Sequence, residues 1–164
     1  MTIRDGRVFQ KYRNPEFPRC MSRIRNRHVP FHDRIWCAVL RMNIREPLRD
    51  AMGGEERYPP PAEWCDITDE YKRTRYRSQE RITWGLKCPA QEGRCHYAMN
   101  PNCEANSPAD MVLLFETKVG WNQHGGPDLF TFDNHDPKGG CVLLNDGTVR
   151  FIRTEEELKQ LRWR

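Results

Sequence analysis

The sequence has no run near the ~20 consecutive apolar residues that a membrane-spanning helix needs, so none of its 164 residues reads as a transmembrane segment. No apolar stretch follows the charged first residues, and no secretory leader is legible. Apolar residues are few, 37% against 30% charged, which limits the chain to one domain with a small core. Seven cysteines include no C-x-x-C pair, which argues against a zinc ribbon or a dithiol redox motif. Their odd number leaves one thiol over in any disulfide scheme. There is no internal repeat and no EF-hand spacing, and no histidine follows His135.

Charge is present but uneven. Residues 1–60 carry 13 Lys/Arg against 7 Asp/Glu, a net +6, and the remainder is −2. Residues 1–32 therefore read as a basic, flexible arm, broken by Pro15, Pro18 and Pro30, ahead of a domain over 33–164. Arg19, Arg23, Arg25 and Arg27 are its candidate contacts to nucleic acid or another anionic surface. A solvated flank of the domain is the plainer reading of the same charges.

The most legible stretch is 134–153. Cys141–Leu144 and Thr148–Ile152 are β-prone runs separated by Asn145-Asp146-Gly147. Asp-Gly suits the positive-φ positions of a type I′ turn, so a tight hairpin is expected. Met111–Glu116 is an apolar run of strand length that does not alternate, as expected of a central strand. Asp33–Met52 carries a helical apolar stripe, kinked at Pro47 and stopped at Gly53-Gly54. A short helix is expected over 61–71, and a capping box at Thr154–Glu157 opens another that runs to Trp163. Ile82-Thr83-Trp84 reads as extended and Val119–Leu129 as a loop. Trp64, Trp84 and Trp121 are expected in the core. The plan is α+β: a kinked N-terminal helix packed on a small antiparallel sheet that ends in a C-terminal β-hairpin.

From about Cys37 to Arg153 the chain resembles the bacterial prepilin-type, pseudopilin-like proteins with an H-X9-DG domain. The matching pieces occur in order: Tyr58-Pro59-Pro60 and Trp64, Leu86–Pro89, Tyr97–Asn100, Val112–Glu116, Gly120-Trp121-Asn122, then Asn134-His135 and Gly139–Phe151. His135, Asp146 and Gly147 occupy the motif positions, although ten residues, not nine, separate His135 from Asp146. The amino-terminal apolar helix of a prepilin is replaced by the basic arm. The resemblance implies the globular head of a type II secretion or type IV pilus pseudopilin, a non-enzymatic domain whose partners are secretion or pilus-like subunits. As the sequence stands the expected location is the cytoplasm; a prepilin leader encoded upstream would place it at the inner membrane or in the periplasm.

Asp146-Gly147 is explained by the turn. His135 is expected to bond a backbone carbonyl or the Asp146 carboxylate. Asp128, Asp133, Asn134 and Asp136 form an oxygen-rich loop of the kind calcium takes. The resemblance points the same way, since major pseudopilins hold calcium in this region. Cys88, Cys95 and Cys103 leave zinc, a disulfide and plain buried thiols open. Two further functions compete: nucleic-acid binding through the arm, and an HNH-type metal-dependent nuclease built on Asp133–Pro137. The second lacks ligands, because the helix after Thr154 offers only Glu, Lys, Gln and Arg.

Overall fold

The computed structural model describes residues 3–4, 7–8, 44–53, 57–75, 86 and 92–164. Ile3–Arg4 (β1) pairs antiparallel with Arg7–Val8 (β2). Arg19, Arg23, Arg25, Arg27, Trp84 and Cys88 lie outside the described residues, as does the expected helix before Ile44.

The frame is a four-stranded antiparallel sheet in the order β3 (Tyr97–Met99), β4 (Val112–Glu116), β5 (Gly140–Leu144), β6 (Val149–Ile152). β4 is central, as its unbroken apolar run implies, and all five of its residues are buried. The reason is that both faces of the sheet are covered. One face packs Tyr97, Met99, Leu113, Leu114, Cys141, Leu143 and Phe151 against Ile44, Leu48 and Trp64. The other packs Ala98, Val112, Phe115, Val142, Leu144 and Ile152 against Leu158 and Leu161, with Phe130, Phe132 and Trp163 alongside. A register shift between Val112 and Leu114 lets Leu113 and Leu114 both serve the first core. Tyr97–Met99 is a strand in register with Leu114–Glu116.

The first core is roofed by α1 (Glu46–Asp50) and α2 (Trp64–Arg75). Ile44 and Arg45 enter α1 as a wide turn, and Pro47 lies within its first turn. Within α1 the missing N–H has no partner to lose, and the segment before Ile44 that the expected kink would join lies outside the described residues. Gly53, at φ 73°, closes the stretch by donating its N–H to Asp50 O at 3.0 Å. α2 is longer than its apolar spacing suggested. It buries Trp64, Cys65, Thr68 and Lys72 on one face. Arg73 stays exposed, bridged to Asp69 at 2.7 Å.

The hairpin between β5 and β6 is present, with Leu143 opposite Val149 and Cys141 opposite Phe151. Its turn is not type I′. Gly147 N–H donates to Leu144 O (2.9 Å) and Leu144 N–H to Thr148 O (2.8 Å), and only Gly147, at φ 85°, has a positive φ within it. This is a three-residue loop, a type I turn closed by a glycine bulge. Asp146 finishes it by accepting from Thr148 N–H at 2.7 Å and from the Thr148 hydroxyl at 2.9 Å.

The last helix, α3 (Glu155–Lys159), is capped by Thr154, whose hydroxyl accepts from Glu157 N–H. The Glu157 carboxylate accepts from Arg153 N–H, one residue earlier than in a closed capping box. α3 stops at Lys159 rather than reaching Trp163, because the tail returns to the sheet. Arg162 O accepts from Val112 N–H (2.9 Å) and Trp163 O from the buried Asn100 amide (3.1 Å). Trp163 then meets Phe115 edge to face, 5.0 Å between centroids. Among the described residues no helix is long and apolar enough to cross a membrane.

Cys103 sits in the first core, and burial pushes its thiol up to about 12. The unfolded chain sheds that proton first, near its ordinary value of 9.0. The stability linked to this thiol is therefore complete below that pH and is lost as pH climbs through the folded value. Urea titrations should show the unfolding constant rising by up to about tenfold per pH unit across this window. Cys103→Ala should remove that share of the slope; an unchanged slope would refute the assignment.

Candidate functional site

Glu116 ends β4 as a carboxylate inside an apolar strand, and it is 1% exposed. Such an anion persists only if it is paired and hydrogen-bonded. Two elements supply the partners. β5 begins alongside, and Cys141 N–H donates to Glu116 Oε2 at 2.7 Å. The loop before β5 turns His135 inward, so that its Nε2 lies 2.8 Å from Oε2 and 3.0 Å from Oε1. The bond is an ion pair when His135 is protonated and an N–H···O bond when Nε2 carries the only ring proton.

The loop is held in place locally. Thr131 N–H donates to Glu116 O (3.1 Å), Gly139 N–H to Phe132 O (2.8 Å), and the Asn134 amide to Thr117 O (3.0 Å). Close approach then dictates two glycines. A Cβ on Gly139 would lie 2.3 Å from the Phe151 ring, and one on Gly140 would lie 2.7 Å from the Phe130 ring. Phe151 in turn packs edge-on to the His135 imidazole, 5.5 Å between centroids. The Cys141 thiol completes the group, and the ligand atoms of Glu116, His135 and Cys141 all lie within 4.8 Å of one another.

His135 thus answers to Glu116 and not to Asp146, which is spent on its own turn. Of the expected calcium residues, the three carboxylates, Asp128, Asp133 and Asp136, are not gathered into one close group among the described residues. Asp133 is bridged to Lys138 at 3.0 Å, and the Asn134 amide faces Thr117. Asp128 and Asp133 do line one open groove of about 740 Å³, but Lys118, Lys138 and Arg153 line it too and offset their charge.

The cysteine expectation is also redistributed. Cys95 lies against Cys65, with 3.8 Å between sulfurs, and Cys103 is elsewhere in the core, its thiol 3.9 Å from Glu104 O. Cys65, Cys95, Cys103 and Cys141 are all buried, and none of them is in a disulfide. The Cys65 thiol is pushed up by its hydrogen bond to Cys95 and by burial, while the same bond lowers Cys95. This pair sits where α2 docks. Cys65 N–H donates to the Asn122 side chain (2.8 Å), Trp64 Nε1–H to Gln123 O (3.0 Å) and Trp121 Nε1–H to Asp66 (2.8 Å). Trp64 is fully buried, whereas Trp121 is only partly so, with the Arg94 guanidinium 3.9 Å over its ring.

Two members of the buried cluster were not singled out from sequence. A lone Glu closing an apolar run was the available signal for Glu116, and a Cys after Gly-Gly was the signal for Cys141. Chemically, the cluster offers an imidazole, a carboxylate and a thiol, but the side chains of His135 and Glu116 are 4% and 1% exposed, so a substrate has no open path to them. Comparisons with protein-family models, with curated proteins and with solved structures return no match to this chain.

Proposed function

We propose that the chain is a non-enzymatic interaction domain, similar in plan to the globular head of a type II secretion or type IV pilus pseudopilin. It would present a sheet edge to a protein partner. The observation that carries this reading is the asymmetry of the two edges. On β3 the outer edge is taken: Met99 N–H donates to Gln123 O (2.9 Å) and Met99 O accepts from Gly125 N–H (3.0 Å). β6 ends the sheet, and no other described strand pairs with its outer side. Its Arg150 is opposite Val142. Antiparallel pairing turns alternate residues inward, and the Leu144–Thr148 bond sets the phase, so Val149 and Phe151 turn their backbone groups outward. A sheet edge with no described strand beside it is a template for an added strand. The conspicuous polar residues support the reading as well, since His135, Glu116 and Asp146 are bonded within the fold rather than converged on a cleft.

The test is Val149→Pro. Proline removes one outward N–H while leaving the bonds to β5, and it is tolerated on an edge strand. A partner captured from the native cell is purified and recombined with the full chain. Binding should weaken by about tenfold or more for the loss of the outward backbone bond and the added-strand register, with circular dichroism unchanged. Binding that is indifferent to Val149→Pro, or no reproducible protein partner by light scattering, would defeat the proposal. Magnesium-dependent plasmid nicking abolished by His135→Ala would replace it with the nuclease reading.

A further inference from the structure

Glu116, His135 and Cys141 carry more chemistry than a latch within the fold requires. We propose that they form a zinc site, with the Glu116 carboxylate, the His135 imidazole and the Cys141 thiolate as protein ligands.

The donor set is the first argument. Imidazole nitrogen, thiolate sulfur and carboxylate oxygen together suit zinc, whereas calcium and magnesium take oxygen alone. The spacing is the second. Bonds of about 2.0–2.3 Å put neighbouring ligands of a tetrahedral zinc about 3.3–3.8 Å apart. The three donor atoms already lie within 4.8 Å of one another, and Nε2 stands 2.8 Å from Oε2. Shifts of an ångström or less in side chains would seat the ion. The third argument is charge. Zinc with one carboxylate, one thiolate and one neutral imidazole is neutral, so the ion adds no net charge to a buried pocket. Binding displaces the Cys141 thiol proton to solvent; the proton on His135 Nε2 leaves with it when the ring is imidazolium and passes to Nδ1 when the ring is neutral, so a neutral imidazole ligates in either case. The surroundings are also those of a metal centre. Cys141 N–H fixes the carboxylate at 2.7 Å, and the Phe151 ring packs against the imidazole. Gly140 leaves the carboxylate face open, since a Cβ there would lie 3.2 Å from Oε2.

The test uses the full chain, purified under reducing conditions, stripped with a chelator and titrated with zinc and then cobalt(II). One equivalent should bind, and the cobalt form should show a sulfur-to-metal charge-transfer band in the near ultraviolet. Loss of an outer partner alone costs about 10–100-fold in metal affinity, so Cys141→Ser and His135→Ala should each cost more than about a hundredfold. Cys65→Ser and Cys103→Ser should leave affinity and band unchanged. Zinc-edge X-ray absorption of the unsubstituted protein keeps the question open to refutation if a variant fails to fold: one sulfur among nitrogen and oxygen neighbours is required. Absence of stoichiometric metal, a band that survives Cys141→Ser, or two or more sulfurs around zinc would overturn the proposal.

Discussion

Glu116→Ala should lower the unfolding free energy by about 3–5 kcal/mol, measured by urea denaturation in the presence of a chelator. The size follows from what the substitution strands. Glu116 is the acceptor for Cys141 N–H at 2.7 Å and the partner of His135 at 2.8 Å, and water reaches neither bond. Removing the carboxylate leaves an imidazole and a backbone N–H buried without their acceptor, and it opens a cavity at the end of the central strand. Glu116→Gln keeps an oxygen for Cys141 N–H and should cost less, about 1–3 kcal/mol. His135→Phe alone should also be costly, because it leaves the carboxylate facing an aromatic ring. The double variant Glu116→Leu with His135→Phe should recover much of the loss, since a buried pair replaced by apolar groups is often near neutral. Additive costs in that cycle would mean that the two residues do not act as a pair.

The contrast between Glu116 and Asp146 marks what a sequence reveals here. Asp146-Gly147 announces a reversal because a left-handed residue is needed wherever a hairpin closes, and that need is local. Even so, the class of turn depended on whether Asp146 also took a positive φ, and the loop settles as a type I turn with a glycine bulge. β4 was legible as a central strand because a strand covered on both faces has no polar face to alternate with. Glu116 was not, because an isolated carboxylate is rarely buried and its partner lies 19 residues on, across a loop. The approach of Cys65 to Cys95 spans 30 residues and has no periodic signature. α3 was expected to run to Trp163 on the strength of its cap. Propensity could not foresee that Arg162 and Trp163 would be claimed by Val112 and Asn100. Elements were readable where the chain talks to its near neighbours, and the buried cluster was not, because it is assembled by the sheet.

Asn145→Ala should cost about 2–4 kcal/mol, although a turn asparagine would ordinarily be counted as a surface residue. Asn145 is 7% exposed and ties four segments together. The Tyr58 hydroxyl donates to its Oδ1 at 2.7 Å, and its amide donates to Ser107 O at 2.7 Å and Ala105 O at 3.4 Å. Arg45 Nη2 donates to its backbone carbonyl at 2.7 Å, and its own N–H donates to Met111 O at 2.8 Å. Truncation spares the two backbone bonds but strands the Tyr58 hydroxyl and the Ser107 carbonyl. Burial already holds the Tyr58 phenol above its ordinary range, so the hydroxyl cannot escape the loss by ionising. Tyr58→Phe should cost about 1 kcal/mol, and combined with Asn145→Ala the total should fall short of the sum, because the two share one bond. Asn145→Asp should be no milder than Asn145→Ala, since it points a carboxylate at the carbonyls the amide had satisfied. A loss below about 0.5 kcal/mol for Asn145→Ala, the range of an ordinary surface change, would mean that the hairpin tip is held by its backbone alone.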